Sequence, residues 1–261
     1  MGGRLIEPEL EQILAFCAEA PLERVFLEDI ARRGLGRFRA RRVAGRLRAL
    51  CHVGANVVPA GEGCAEFAAL PLRRTARMVI GEEVAVSELW AAAQASLPQP
   101  RVDRPGQPVY VLETPPAPGE TGLRPARLDD LDLLLPACAA AHAEELGVDP
   151  LRRDRRAFLR RTREQIELGR SWLWAERGTV LFKAEASAWT PSAVQLQQVW
   201  VDPPARGRGN GGRGLRDLLV LLLGSGAPAV TLFVRSENRA AIALYDAAGM
   251  RRSGSYRSVI L

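Results

Sequence analysis

The stretch VDPPARGRGNGGRGL, residues 201–215, lies between the apolar run AVQLQQVWV and the helix-like pattern RDLLVLLL. A glycine-rich turn between a strand and a helix points to an α/β fold with a helix N-terminus facing a loop. Glycine lets a backbone approach a ligand closely, and the first N–H groups of a helix find no acceptor inside it. The combination suits an anion, a phosphate above all.

Two phosphate-binding readings fail on the residues. A P-loop needs a lysine in the turn, and the only lysine in the chain is Lys183. Gly207, Gly209 and Gly212 satisfy the dinucleotide spacing G-x-G-x-x-G, and Glu237 follows the next strand, where a ribose-binding acid belongs. However, DPPAR separates strand from glycine, whereas a dinucleotide turn follows its strand at once. Too few residues remain after Glu237 to finish a doubly wound sheet.

The Pro/Gly-rich stretch VLETPPAPGETG, residues 111–122, marks a boundary between two halves. Before it, the patterns predict a helix over 5–18 and short strands over 37–59. A helix over 62–70, a strand over 77–80, a helix over 84–96 and a strand over 108–113 follow. After it come a strand and a helix, then a second helix beginning near Pro150, where proline suits the first turn. SWLWAER, TVLFKAEASAW and AVQLQQVWV are joined by short connections and form an antiparallel meander. The quoted loop, a helix to about Leu223, the strand AVTLFV, the helix NRAAIALYDAAG and terminal strands complete the order. The fold class is α/β (α+β), with a mixed, mostly antiparallel sheet flanked by helices.

Composition excludes several function classes. No apolar run approaches the roughly 20 residues of a membrane helix, and the N-terminus lacks the layout of a signal peptide. The expectation is a cytoplasmic protein without a membrane partner. Cys17, Cys51, Cys64 and Cys138 are scattered and only His52 and His142 are present, so neither a disulfide framework nor a metal site is expected. The net charge of +6 is modest, and the basic run LRRDRRAFLRR lacks interleaved aromatics beyond Phe158. That argues for a solvated helix face rather than a nucleic-acid site.

Arg206, Gly209 and Gly211 spell R-x-x-G-x-G after VWVDPP and before a helix. Asn238, Ala241, Tyr245 and Gly249 spell N-x-x-A-x-x-x-Y-x-x-x-G one helix and one strand later. In these two motifs the sequence resembles the GNAT acyltransferase superfamily, across about residues 122–261. ANVVPA, SELW, QPVYVL, EELGVDP, LFKAEA and QQVWVDPPARGRG resemble a narrower group that carries an N-terminal domain of undefined role before the acetyltransferase domain.

The resemblance implies the GNAT fold and acetyl-CoA as acyl donor. It implies cofactor contacts from Val199, Trp200 and Val201 to the pantetheine arm. Contacts to the pyrophosphate fall to Arg206, Gly207, Arg208, Gly209, Asn210, Gly211 and Gly212, with Asn238 and Tyr245 beside them. Tyr245 is then the acid that protonates the departing thiolate. The base stays open between Glu185 and Glu145, with a water relay as a third route. Gly212 and Gly214 extend the glycine run, so the helix either begins in a loose turn or begins one turn late.

The activity implied is direct transfer of acetyl to an amine-bearing acceptor, small molecule or protein, in a ternary complex. The alternative is a non-catalytic acyl-CoA sensor, and a homodimer is left open. Laid beside TLFVRSENRAAIALYDA, RMVIGEEVAVSELWAA sets Glu83 against Asn238 and Trp90 against Tyr245. A tandem pair follows as an expectation, with a degenerate GNAT-like domain over 1–116 and the acyltransferase domain over 121–261.

Overall fold

A computed structural model describes residues 4–261. The first half contains β1 (Arg4–Ile6), α1 (Leu10–Ala18), α2 (Val25–Arg32), β2 (Arg37–Val43), β3 (Arg46–Val53), β4 (Asn56–Gly61), β5 (Met78–Glu82), α3 (Glu83–Ala93) and β6 (Val102–Leu112). The second contains β7 (Arg124–Pro125), α4 (Leu131–Leu146), α5 (Pro150–Glu167), β8 (Ser171–Glu176), β9 (Thr179–Trp189), β10 (Val194–Val201), α6 (Asn210–Gly224), β11 (Val230–Phe233), α7 (Arg239–Ala247) and β12 (Arg251–Ile260).

All twelve strands join one sheet, in the order β1-β2-β3-β4-β5-β12-β6-β11-β10-β9-β8-β7. The order is the same read from either end when each strand is exchanged for the one six places along. The halves therefore repeat one topology, and they trade their last strands. β12 lies against β5 of the first half, and β6 lies against β11 of the second. β4/β5 and β10/β11 are parallel, and the remaining pairs are antiparallel. This is the mixed, mostly antiparallel sheet that the sequence pattern implies.

Side chains alternate across the strands as the pleat requires. Trp172 and Trp174 of β8 pack with α6 and α7 on one face, and the intervening Leu173 packs with α4 and α5 on the other. In the first half α3 covers one face, and α1 and α2 cover the other. A small cluster of Val25, Val111, Ala188, Ala193 and Ala229 joins the halves.

The Pro/Gly-rich connection is tied down. Asp217 on α6 accepts from the main-chain N–H groups of Gly119 (2.6 Å), Glu120 (3.2 Å) and Thr121 (2.7 Å) and from the Thr121 hydroxyl (2.6 Å). Arg213 donates to the carbonyls of Gly119 and Glu120. A Cβ at Gly119 would stand 2.0 Å from the Arg213 carbonyl oxygen, so only glycine fits there.

Several boundaries differ from the sequence pattern. The helix expected over 5–18 begins at Leu10, because Arg4–Ile6 pairs as an edge strand with β2 and Gln12 closes on the Glu9 amide at 3.2 Å. The helix expected over 62–70 is a short 3-10 segment, Cys64–Ala69, entered through Gly63 at φ +78°. The strand expected over 108–113 runs from Val102, since β12 pairs along its length. One strand, β12, takes the place of the expected terminal strands. Asp149 caps α5 through the Leu151 amide, and the helix breaks at Asp154. Among the described residues no helix is long and apolar enough to cross a membrane, and all four cysteines are free and buried.

Candidate active site

β10 and β11 bond to each other only at Val194/Val230 and Gln195/Thr231 and then diverge, although both strands run on. A bulge sharpens the divergence. Gln197 faces Glu185 and Trp200 faces Lys183, so Gln198 and Val199 together oppose one residue of β9. Gln198 sits at φ +49°, and its Oε1 accepts from Lys183 Nζ at 3.2 Å, which pins the bulge from below. The gap is edged by main chain from Val199 to Val201, as a strand-like ligand arm requires.

Below the gap, Pro203–Ala205 forms a 3-10 turn, and Gly207 and Gly209 take φ of +73° and +77°, which glycine adopts without strain. Helix α6 starts at Asn210 without delay. Its first bond runs from Arg213 N–H to Gly209 O, which leaves the amides of Asn210, Gly211 and Gly212 without an intrahelical acceptor. Packing sets two of the glycines at the helix start, Gly211 of the motif and Gly214 beyond it. A Cβ at Gly211 would lie 3.2 Å from Val201 Cγ2, and one at Gly214 would lie 2.5 Å from the Phe182 ring. Neither the loose turn nor the late start is found.

Helix α7 closes the other side. Asn238 Oδ1 accepts from Ala241 N–H at 3.2 Å and caps the helix. Tyr245, 5% exposed, packs at a tilt against Tyr110, with 5.5 Å between ring centroids. Burial first, then the nearby Glu145 and Tyr110, push its phenol well above the ordinary value, so it stays protonated.

Val199, Trp200, Val201, Arg206, Gly207, Gly209, Asn210, Gly211, Gly212, Asn238 and Tyr245 line one groove of about 630 Å³. Arg208 does not line it; its side chain edges a separate depression with Trp174 and Glu176. Arg206 is not a free loop cation. It donates to Glu144 at 2.8 and 2.9 Å and to the Val201 carbonyl at 3.0 Å, while Trp200 Nε1 donates to Glu144 at 3.1 Å. Glu144 and Arg235 also line the groove and were missed by motif reasoning. Nothing in the spacing separates Glu144 from its neighbour Glu145.

The two carboxylates named as bases part company. Glu185 lies under the sheet, 2.6 Å from Lys183 Nζ, and receives Cys138 Sγ and Gln197 Nε2 as well. Burial works to raise its carboxyl, yet the Lys183 ammonium holds it below the usual range. It lines none of the cavities described. Glu145 instead faces a passage of about 120 Å³, which also touches Tyr245 and Val199. Burial raises its carboxyl above the usual range against the pull of Arg104, Arg235, Lys183 and Arg161. Beyond the passage lies a chamber of about 240 Å³ between the halves, which shares Gln107, Glu145, Gln198 and Phe233 with the passage.

Comparison with known proteins matches this geometry. Residues 138–250 fit the model described as the acetyltransferase (GNAT) family. Residues 138–250 are thereby a GNAT-family domain. Ahead of it, residues 36–134 fit a domain of unknown function, DUF4081.

The N-alpha-acetyltransferase RimI of Mycobacterium tuberculosis is 42% identical over 67 residues, 26% of this chain and 40% of that protein. The match thus spans two fifths of the curated relative. Among solved structures, a GNAT-family acetyltransferase from Colwellia psychrerythraea superposes over 99% of both chains with TM-score 0.61 at 12% identity. A GCN5-related N-acetyltransferase from Sphaerobacter thermophilus covers 98% of this chain and 94% of its own, with TM-score 0.59 at 18% identity. A tandem GNAT protein from the clavulanic acid biosynthesis pathway covers 98% of both, with TM-score 0.58 at 13% identity. At such identities these likenesses establish the fold.

In the first half, β4 and β5 also bond at only two positions, Asn56/Met78 and Val57/Val79. The place of the glycine loop is taken by the 3-10 segment, and Glu88 of α3 accepts from the Cys64 amide at 2.7 Å. The protein's own carboxylate sits where the other half presents unpaired amides.

Proposed function

We propose that the chain transfers an acetyl group from acetyl-CoA to an amine, with the chemistry confined to residues 121–261 and residues 1–116 a GNAT-like partner without a cofactor site. One observation carries the reading. The unpaired amides of Asn210 to Gly212, the opened edge of Val199–Val201 and the Tyr245 side chain all line a single groove.

The residues fit the donor. Left-handed glycines and a helix N-terminus suit a diphosphate, and the parted strands suit an amide-bearing arm. Acetyl-CoA supplies the activated acyl group. Glu145 takes the proton that the amine must lose, and its raised carboxyl brings it nearer the working pH. The amine nitrogen gains the bond to the acyl carbon, the carbon–sulfur bond breaks, and the Tyr245 hydroxyl gives its proton to the leaving sulfur. Arg206, held on Glu144, packs at the rim and stiffens the loop, so main-chain amides do most of the binding. Glu185 serves the bulge through Lys183 and Gln198 and takes no part in proton transfer.

The relative named an N-alpha-acetyltransferase favours an α-amine as the acceptor group. The test is calorimetry with acetyl-CoA together with thiol release on an amine panel. Binding in the wild type and in Tyr245→Phe, with turnover lowered in the variant by about 10²-fold or more, supports the reading. Absence of binding at millimolar acetyl-CoA ends it. Unchanged turnover removes Tyr245 as the acid.

A further inference from the structure

We propose that the acceptor is a free amino acid with an apolar side chain, bound in the chamber between the two halves; this rests on acetyl transfer in the adjoining groove. The passage sets the orientation. It touches Tyr245 and Val199 on the donor side and Gln107, Glu145 and Phe233 on the chamber side, so a nitrogen placed in it lies between the donor groove and Glu145.

Two groups there ask for N–H donors. Gln107 is 2% exposed, and its Oε1 is buried with no hydrogen-bond partner. An unmet buried acceptor is costly, so its presence marks a place where a ligand donor completes the bond. The Glu145 carboxylate forms no ion pair among the described residues and is the second acceptor.

Two cations line the chamber as well, together with the carboxylates of Glu23 and of Glu82, the latter held by Arg24. Arg104, on β6, donates to the Glu145 main-chain oxygen at 2.8 Å, lines the chamber, and forms no ion pair among the described residues. Burial and the neighbouring Arg235 both weigh against its charge. Arg161 on α5 lines the same chamber. A half-buried guanidinium that forms no direct ion pair keeps its donors for a ligand carboxylate. An α-amino acid puts its amine and its carboxylate one carbon apart, matching Glu145 and Arg104 side by side.

The rest of the wall is mixed: polar groups such as Asn56, His142 and Gln195 line it. Phe26, Val58 and Ile80 from the first half, Phe233 from the second and the Tyr256 ring, whose hydroxyl donates to the Glu23 carbonyl, supply its apolar part. At about 240 Å³ the chamber falls below the roughly 300–1,000 Å³ of pockets for drug-sized ligands. A peptide offers the amine but no carboxylate at the next carbon. The first half thus gains a role: it reads the acceptor's side chain.

The test is thiol release from acetyl-CoA with the standard amino acids, each beside its primary amide and beside short peptides. Apolar amino acids are expected to exceed their amides in kcat/KM by about tenfold or more, since one charge-assisted contact is at stake. Arg104→Gln should collapse that ratio by raising KM for the acids. Equal rates on acids and amides, turnover of peptides or neutral amines alone, or an equal loss on acid and amide in the variant overturns the proposal. If Arg104→Gln fails to fold, the acid-to-amide ratio of the wild type decides. Calorimetry separates the failures: acetyl-CoA bound without turnover of any amino acid sinks the acceptor alone, and acetyl-CoA unbound sinks the transferase reading with it.

Discussion

The guanidinium of Arg170 grips the carboxylate of Asp29 across the two halves, with Nη2–Oδ1 at 2.6 Å and Nη1–Oδ2 at 3.0 Å. The Trp189 amide also donates to Asp29 Oδ1 at 3.2 Å, and the two side chains are nearly excluded from water. Removing one member strands the other charge. Asp29→Ala is expected to cost roughly 3–5 kcal/mol in urea unfolding, whereas an apolar replacement of both partners recovers much of that. Because β6 and β12 are exchanged between the halves, the loss should appear in one cooperative transition. Two separated transitions would show that the halves melt independently.

Gly214 is held by the Phe182 ring. A Cβ there meets Cγ at 2.5 Å, too close for any side-chain shift short of moving the ring or the helix. Gly214→Ala gains about 0.5–1 kcal/mol of helix preference and loses about 1–3 kcal/mol to overpacking, so net destabilisation is expected. Lifting α6 from β9 also moves the amides of Asn210 to Gly212, and acetyl-CoA affinity should fall along with the melting temperature. Gly224→Ala, where a Cβ meets nothing within 4 Å, is the control and should cost little.

The motifs around residues 201–215 and 238–249 were legible because local geometry dictates their residues. Positive φ at Gly207 and Gly209 and a cap at Asn238 are demands of the immediate backbone. What stayed hidden depends on long-range pairing. Residues 108–113 read as a plain strand, and no feature there says that it starts at Val102 or that its neighbours are β11 and β12. The choice between Glu185 and Glu145 was likewise invisible, since it turns on Lys183 reaching one and not the other. Arg104 carried no motif, and Gln107 stood only as the first residue of QPVYVL, with no role attached. They matter because strand exchange brings them beside α4.

The strap on α6 should respond to acid. Burial works to raise the Asp217 carboxyl, but hydrogen bonds from Thr121, Gly119 and Glu120 hold it below its usual range. A depressed folded value means that the stabilisation is full above the unfolded value, near pH 4, and is lost as pH falls through the folded one. Limited proteolysis near residues 113–122 should therefore be slow at neutral pH and accelerate in acid. Asp217→Ala should cleave fast at every pH. A cleavage rate in the variant equal to the wild type's at neutral pH would show that the strap is held by something else.

Glu145 should trade stability for activity. Burial raises its carboxyl, so the folded protein holds that proton to higher pH than the unfolded chain does. By linkage, stability falls as pH rises from the unfolded value to the raised folded one, and it stays lower above that window. Arg104 on β6, Arg235 in the loop after β11, Lys183 on β9 and Arg161 on α5 offset the burial only in part. Glu145→Gln is thus expected to melt at a higher temperature than the wild type at neutral pH, with the difference vanishing below about pH 4. Its kcat should fall by roughly 10²–10⁴-fold, and the acidic limb of the wild-type rate profile should disappear. The alkaline limb belongs to Tyr245, whose raised phenol keeps its proton past pH 10, and it should remain in the Glu145→Gln profile. A variant that keeps the acidic limb would move the proton acceptor away from Glu145, and one that melts lower would contradict the burial that raises its carboxyl.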